Sequence, residues 1–150
     1  VRAGDIQGQS HVSEAMKSRI ILDESLYLKE QLLAYKNFND TWIANIRVSK
    51  CGGILRSIDL AHAAQEQGID VILGAHVGET SILSRAALTV GQSLNDPALA
   101  REGAFGRKLV TEDISNPSLR FGFRGVLRSK RWNFASLPGL GLSINPESLF

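Results

Sequence analysis

The sequence predicts an α/β domain in which parallel strands alternate with helices, and three observations predict it. Short apolar runs recur at residues 19–22, 42–50 and 70–76. A stretch with helical spacing follows each of them, at 28–38, 54–67 and 81–94. Glycine, asparagine and proline punctuate the joins at Gly52-Gly53, Gly68 and Asn95-Asp96-Pro97. Such threefold alternation is the pattern of βαβ units and a parallel sheet.

Each element has its own reason. RIIL at 19–22 is an apolar run closed by Asp23-Glu24-Ser25, which reads as a strand buried on both faces. Leu28, Leu32, Leu33 and residues 35–38 repeat with a helical period, opposite Lys29, Glu30 and Lys36. WIANIRVSK at 42–50 is rich in strand formers and stops at Cys51-Gly52-Gly53, where two glycines permit a tight strand-to-helix turn. ILRSIDLAHAAQEQ at 54–67 is an Ala-rich amphipathic helix ended by Gly68. DVILGAH at 70–76 is the third strand, and SILSRAALTVGQSL at 81–94 the third helix. From Gly103 onward the pattern breaks into KLVTEDI, FGFRGVL and the turn LPGLGLSI, which predicts one more strand and then irregular chain. The opening VRAGDIQGQS reads as a loop, and with Val1 in first place the sequence reads as a piece of a longer protein.

Composition excludes several classes. Apolar residues make up 43% and charged residues 21%, which is globular and neither disordered nor low-complexity. Lys plus Arg number 17 against 15 Asp plus Glu, and a net charge of +2 is too small to argue for nucleic acid. No run of residues is long and apolar enough to span a membrane, so no membrane partner is expected. The single cysteine, Cys51, cannot form an internal disulfide and points to a reducing, cytoplasmic setting.

In parallel α/β architectures the working residues sit at the carboxyl ends of strands and in the loops after them. Strand one ends at Asp23, strand two at Lys50, and strand three at His76 with Glu79 just beyond. Alternation puts Ile46 and Val48 on one face of strand two and Asn45, Arg47 and Ser49 on the other. Polar groups on a buried strand face are costly unless that face lines a site. Each residue also has a structural reading. Asp23 serves as a helix cap, Arg47 as an ion-pair partner, and His76 as a satisfied core histidine. Glu79 complements a helix dipole, Lys50 points into solvent, and Cys51 is inert packing.

The succession ILDES, NIRVSKCGGILRSIDLAHAAQEQGI, GAHVGETSILSRAAL, LVTEDI and LPGLGLSINPESL resembles the carboxyl-terminal barrel portion of the enolase superfamily. The resemblance is to the mandelate racemase and muconate lactonizing enzyme group. It implies the carboxyl-terminal part of a (β/α)7β TIM-like barrel, with this chain supplying about strands five to eight over residues 1–114. Residues 115–150 then form a tail returning toward a capping domain that, with the first barrel strands, lies outside this sequence. The group binds Mg²⁺ through three strand-end carboxylates, and Asp23 of the DES motif matches the third. The metal stabilises an enediolate formed by removing the proton α to a carboxylate. The group's catalytic lysine, three residues before the lysine of its K-x-G-G turn, falls on Arg47, which is no base but a good partner for negative charge. Lys50 matches the turn lysine and is expected to point away from the inner face. His76 lies near the position of the racemase histidine, without its aspartate partner. Glu79 resembles the acidic residue after the seventh strand.

The resemblance thus implies part of a Mg²⁺-dependent racemase, epimerase or cycloisomerase of a small-molecule carboxylate, with Arg47, His76 and Glu79 as catalytic candidates and Asp23 as metal ligand. A lysine on the missing second strand is the expected base, with Arg47 as electrostatic partner and His76 as candidate acid or second base, and the 150 residues alone are expected to be inactive. Two rival readings stand beside it. One is a sugar-acid dehydratase with His76 as base. The other is a catalytically silent binding or structural member, for which arginine at position 47 is the best sign. Open sheet edges predict a homo-oligomer or association with the missing amino-terminal half.

Overall fold

The computed structural model describes residues 1–37, 39–103, 109–119, 121, 126–127 and 136–149. Its centre is a four-stranded sheet in the order β1 (Ile20–Leu22), β2 (Trp42–Ile46), β3 (Asp70–Leu73), β4 (Ala100–Arg101). Every neighbouring pair is parallel, with Ile20 opposite Trp42, Asn45 opposite Ile72 and Leu73 opposite Arg101. The alternation read from the sequence therefore describes the sheet correctly.

Register assigns the two faces. Residues opposite one another share a face, so Leu22, Ala44, Ile46, Val71 and Leu73 lie together on one side. There they form one core with Leu60, Ala61 and Ala64 of helix α2 (Ile54–Glu66) and Ala86 and Val90 of helix α3 (Ser81–Ser93). The other face carries Ile21, Ile43, Asn45 and Ile72. Trp42, fully buried, meets Tyr35 edge to face at 5.2 Å. The Cys51 thiol is buried and free, as expected of inert packing.

Several expectations need correction. The opening is not all loop: α1 covers Ile6–Met16, with the Asp5 carboxylate accepting from the Gly8 amide at its start. The expected helix at 28–38 is a 3-10 helix, Lys29–Tyr35, whose buried side chains Leu32 and Tyr35 lie three residues apart, the period of that tighter helix. Phe38 lies outside the described residues. Within the described residues strand one is covered on one face, and Ile21 is 50% exposed at the open sheet edge. Strands two and three end early, at Ile46 and Leu73. The chain after Arg47 turns at once, the Cys51 amide donating to the Arg47 carbonyl at 2.9 Å and the Gly53 amide to that of Val48 at 2.9 Å. Gly52 and Gly53, at φ 82° and 106°, take the left-handed geometry that this turn requires.

The one further strand expected from Gly103 onward does not continue the parallel sheet among the described residues. Lys108 lies outside the described residues, and 109–114 form no strand; the fourth strand is Ala100–Arg101, ahead of Gly103. FGFRGVL lies largely outside the described residues. LPGLGLSI ends in β6 (Ser143–Ile144), which pairs antiparallel with β5 (Ser115–Asn116) in a separate two-stranded sheet. This tail is tied to α3: the Asp113 carboxylate accepts from the Ser81 hydroxyl and from the Ser118 hydroxyl at 3.0 Å. Arg85 donates from Nε to the Leu140 carbonyl at 3.0 Å.

Candidate active site

At the carboxyl ends of β1, β2 and β3 a set of charged side chains meets. Asp23 follows β1 directly and Arg47 follows β2 directly, on the face of Asn45. The Arg47 guanidinium is paired from three sides. Nη2 donates to the Asp23 carboxylate and to Glu24 Oε1 at 3.1 Å, and Nη1 donates to His76 Nδ1 at 3.0 Å. A fourth contact is steric. A Cβ on Gly74 would lie 2.8 Å from Asn45 Cγ and 2.9 Å from Arg47 Cγ, so only glycine admits this close approach of β3. Arg47 is 9% exposed and Asn45 3%.

Lys50 is not pointed away. Because the strand ends at Ile46 and the chain turns, alternation stops before it reaches position 50. The Lys50 ammonium instead reaches back to the Asp23 carbonyl at 2.7 Å, Asp23 Oδ1 at 3.3 Å and the Asn45 carbonyl at 2.8 Å, with its side chain 12% exposed. Two neighbouring strand ends are thereby cross-linked by one ammonium. Glu79 accepts from the Ser49 hydroxyl at 3.2 Å, which ties the loop after β3 to the turn after β2. The structure thus gathers Asp23, Arg47 and His76 by direct contact and brings Glu79 to the turn that carries Ser49 and Lys50.

Electrostatics fix the charge states. Burial pushes the Asp23 carboxyl up, but its hydrogen bond with Arg47 and the charges of Lys50 and Arg47 outweigh that, holding it below the usual range. The hydrogen bond to Asp23 raises Arg47 above its ordinary value against the opposing effect of burial. Burial lowers the Lys50 ammonium although Asp23 lies beside it. Arg47 is consequently a permanent cation, unsuited to accept a proton.

Two participants escaped the sequence reading. Glu24 pairs with Arg47, and its signal was the second carboxylate of the DES motif. Glu102, just after β4, accepts from the Ala75 amide at 3.1 Å and so supports the segment leading to His76. A two-residue strand with both residues exposed gives no hydrophobic signal by which to find it.

Asp23 offers the donor type that Mg²⁺ prefers, but both of its oxygens face cations. Among the described residues no group of three His, Cys, Asp or Glu side chains could hold a metal. On their own the described residues do not fit an octahedral Mg²⁺ centre. A cavity of about 660 Å³ lies beside β5 and β6, and one of about 430 Å³ on the α3 side includes Glu79 and Glu102 in its lining; Asp23, Arg47, Lys50 and His76 line neither. Among the described residues no helix is long and apolar enough to cross a membrane.

Known proteins are similar to this chain in sequence and fold over nearly its whole length. The N-succinyl-L-Arg/Lys racemase of Bacillus cereus is 28% identical over 149 residues, covering 99% of this chain and 37% of the racemase. The crystal structure of that enzyme superposes with a TM-score of 0.75. The o-succinylbenzoate synthase of Bacillus subtilis is 26% identical, over 98% of this chain and 38% of the synthase. Muconate cycloisomerase from Pseudomonas fluorescens is 25% identical in sequence, with a TM-score of 0.77, over 99% of this chain and 39% of that enzyme. The chain spans less than two fifths of the length of these relatives, which are enzymes of the mandelate racemase and muconate lactonizing group. The family described as enolase C-terminal domain-like matches residues 1–148, so this chain belongs to that family and forms the carboxyl-terminal part of its α/β barrel.

Proposed function

We propose that this chain is part of an enzyme that removes the proton α to the carboxylate of a small molecule and rearranges the resulting enediolate, as a racemase, epimerase or cycloisomerase. The observation that carries the reading is the meeting of Asp23, Arg47, Lys50 and His76 at the carboxyl ends of consecutive parallel strands. The relatives matched over this same stretch include a racemase, an epimerase and a cycloisomerase. In the proposed step a base takes the α-proton and the C–H electron pair moves into the enediolate, whose oxygens gain negative charge. Arg47 supplies fixed positive charge beside that site, and preorganised charge of this kind is a major source of catalysis. The base is a lysine on a barrel strand outside these residues. Lys50 and Glu79 hold the strand-end turns in place, and residues 115–150 lead back toward a capping domain.

Mg²⁺ enters the proposal as a cofactor of the whole barrel, to which Asp23 contributes one carboxylate; no step of this chain's own residues depends on it. A cytoplasmic setting belongs to the same reading.

The test is proton exchange. The whole enzyme, incubated in D₂O with N-succinyl amino acids, dipeptides and muconate-type acids, is expected to replace the α-proton of at least one class, read by NMR. Absence of exchange across all three would favour a non-catalytic member of the family, for which the loss of lysine at position 47 is the specific sign.

A further inference from the structure

The hydrogen bond between Arg47 and His76 fixes more than a position. A guanidinium carries only donors, so at 3.0 Å from Arg47 Nη1 the Nδ1 atom of His76 is the acceptor and bears no proton. In a neutral imidazole the proton then resides on Nε2, because the partner of one ring nitrogen sets the state of the other. Among the described residues Nε2 has no partner. Within this chain His76 stands at the rim of the strand-end cluster, next to Arg47. Arg47 Nη2 is paired with Asp23 and Glu24, which leaves Nη1 for His76.

We propose that His76 is held by Arg47 as its neutral Nε2–H form and donates that hydrogen to an oxygen acceptor of the substrate, with Arg47 as the residue that positions it. This rests on the enzymatic reading above and deepens it. It assigns His76 to oxygen recognition and speaks against its use as the general base of a sugar-acid dehydratase. An aspartate in place of Arg47 would accept from Nδ1–H and leave Nε2 free to take a proton; arginine enforces the opposite polarity.

The first experiment requires no substrate. The protein is labelled with ¹⁵N-histidine, and long-range ¹H–¹⁵N correlations near neutral pH identify the protonated nitrogen of each ring. His76 is assigned by the signals lost in His76→Gln, which separates it from His11 and His62. The expected pattern is an unprotonated Nδ1 and a protonated Nε2, and Arg47→Met should abolish the fixed preference. A protonated Nδ1, or a doubly protonated ring, would overturn the proposal even if the Arg47 variant failed to fold.

The second experiment uses the whole enzyme with the substrate found by proton exchange. His76→Gln, which keeps an N–H near Nε2, should hold kcat/KM within about tenfold of the parent. His76→Leu should lose on the order of 10–100-fold, the worth of one hydrogen bond to a charged acceptor. Equal loss in both would refute the proposal. A parent that exchanges no substrate proton would sink the enzymatic reading instead, while the ¹⁵N pattern would still decide the form of His76.

Discussion

Gly74→Ala tests how tightly β2 and β3 are packed where the site is built. The added methyl would contact Asn45 Oδ1 and lie 2.8 Å from Asn45 Cγ and 2.9 Å from Arg47 Cγ. Carbon atoms in good contact stand about 3.5–4.0 Å apart, so both side chains must retreat by roughly 0.6 Å or more. Neither has freedom to do so: Asn45 is buried in the middle of the register with Ile72, and Arg47 is held by Asp23, Glu24 and His76. Overpacking costs about 1–3 kcal/mol, while stiffening the unfolded chain returns roughly 0.4–1 kcal/mol. The net expectation is a loss of about 1–2 kcal/mol, which in a domain of this size lowers Tm by roughly 2–4 °C per kcal/mol. Urea titration followed by circular dichroism measures it, provided m is unchanged. Asn45→Ala in the Gly74→Ala background should restore part of the loss relative to the sum of the single variants, since the two sites are in contact. A Gly74→Ala protein within about 0.5 kcal/mol of the parent would show that the inner face has room and that this packing argument is wrong.

Other expectations follow from the same contacts. Asp23 has its folded-state pKa below its ordinary value of 3.8, so its ion pairs contribute stability above that pH and lose it as pH falls through the folded pKa. Asp23→Asn should therefore be less stable than the parent at neutral pH, with the gap closing in acid; a gap independent of pH would mean that Asp23 is not ionised in its pairs. Calorimetry of residues 1–150 should find weak Mg²⁺ binding, and submicromolar affinity would show a complete ligand set within this chain. The sheet edges at β1 and β4 should make the chain self-associate with rising concentration in sedimentation, unless amino-terminal barrel strands are supplied; a monomer at all concentrations would oppose this.

The parallel architecture was legible because its signals are local: apolar runs, an Ala-rich stripe at 54–67, and Gly52, Gly53 and Gly68 at the joins. Helix α1 was missed because Ser10 is its single buried residue, leaving no apolar stripe; Asp5 three residues ahead of Gly8 was its one capping cue. At 28–38 the apolar set fits either helical period, and packing of Leu32 and Tyr35 decides for the tighter one. The end of β2 was overshot because strand propensity continues through Val48 while the chain already turns, the Cys51 amide donating to the Arg47 carbonyl; β3 stops at Leu73, although the Gly74 amide still donates to the Ile46 carbonyl at 2.9 Å. The error at β2 misdirected Lys50, whose place depends on the turn rather than on strand alternation. Asp23, Arg47 and His76 were legible as strand-end polar residues, yet their mutual pairing depends on register across three strands. Glu102 depends on a strand of two residues with no pattern at all.

Arg47 as a fixed cation beside the reacting carboxylate is the central claim, and one kinetic comparison tests it most directly. In the whole enzyme, kcat/KM for α-proton exchange should fall by on the order of 10²–10³ in Arg47→Met, as on removal of one oxyanion donor, while Arg47→Lys keeps part of the activity because it keeps the charge. An Arg47→Met enzyme that exchanges the α-proton as fast as the parent would contradict the account and leave Arg47 a purely structural ion-pair partner of Asp23.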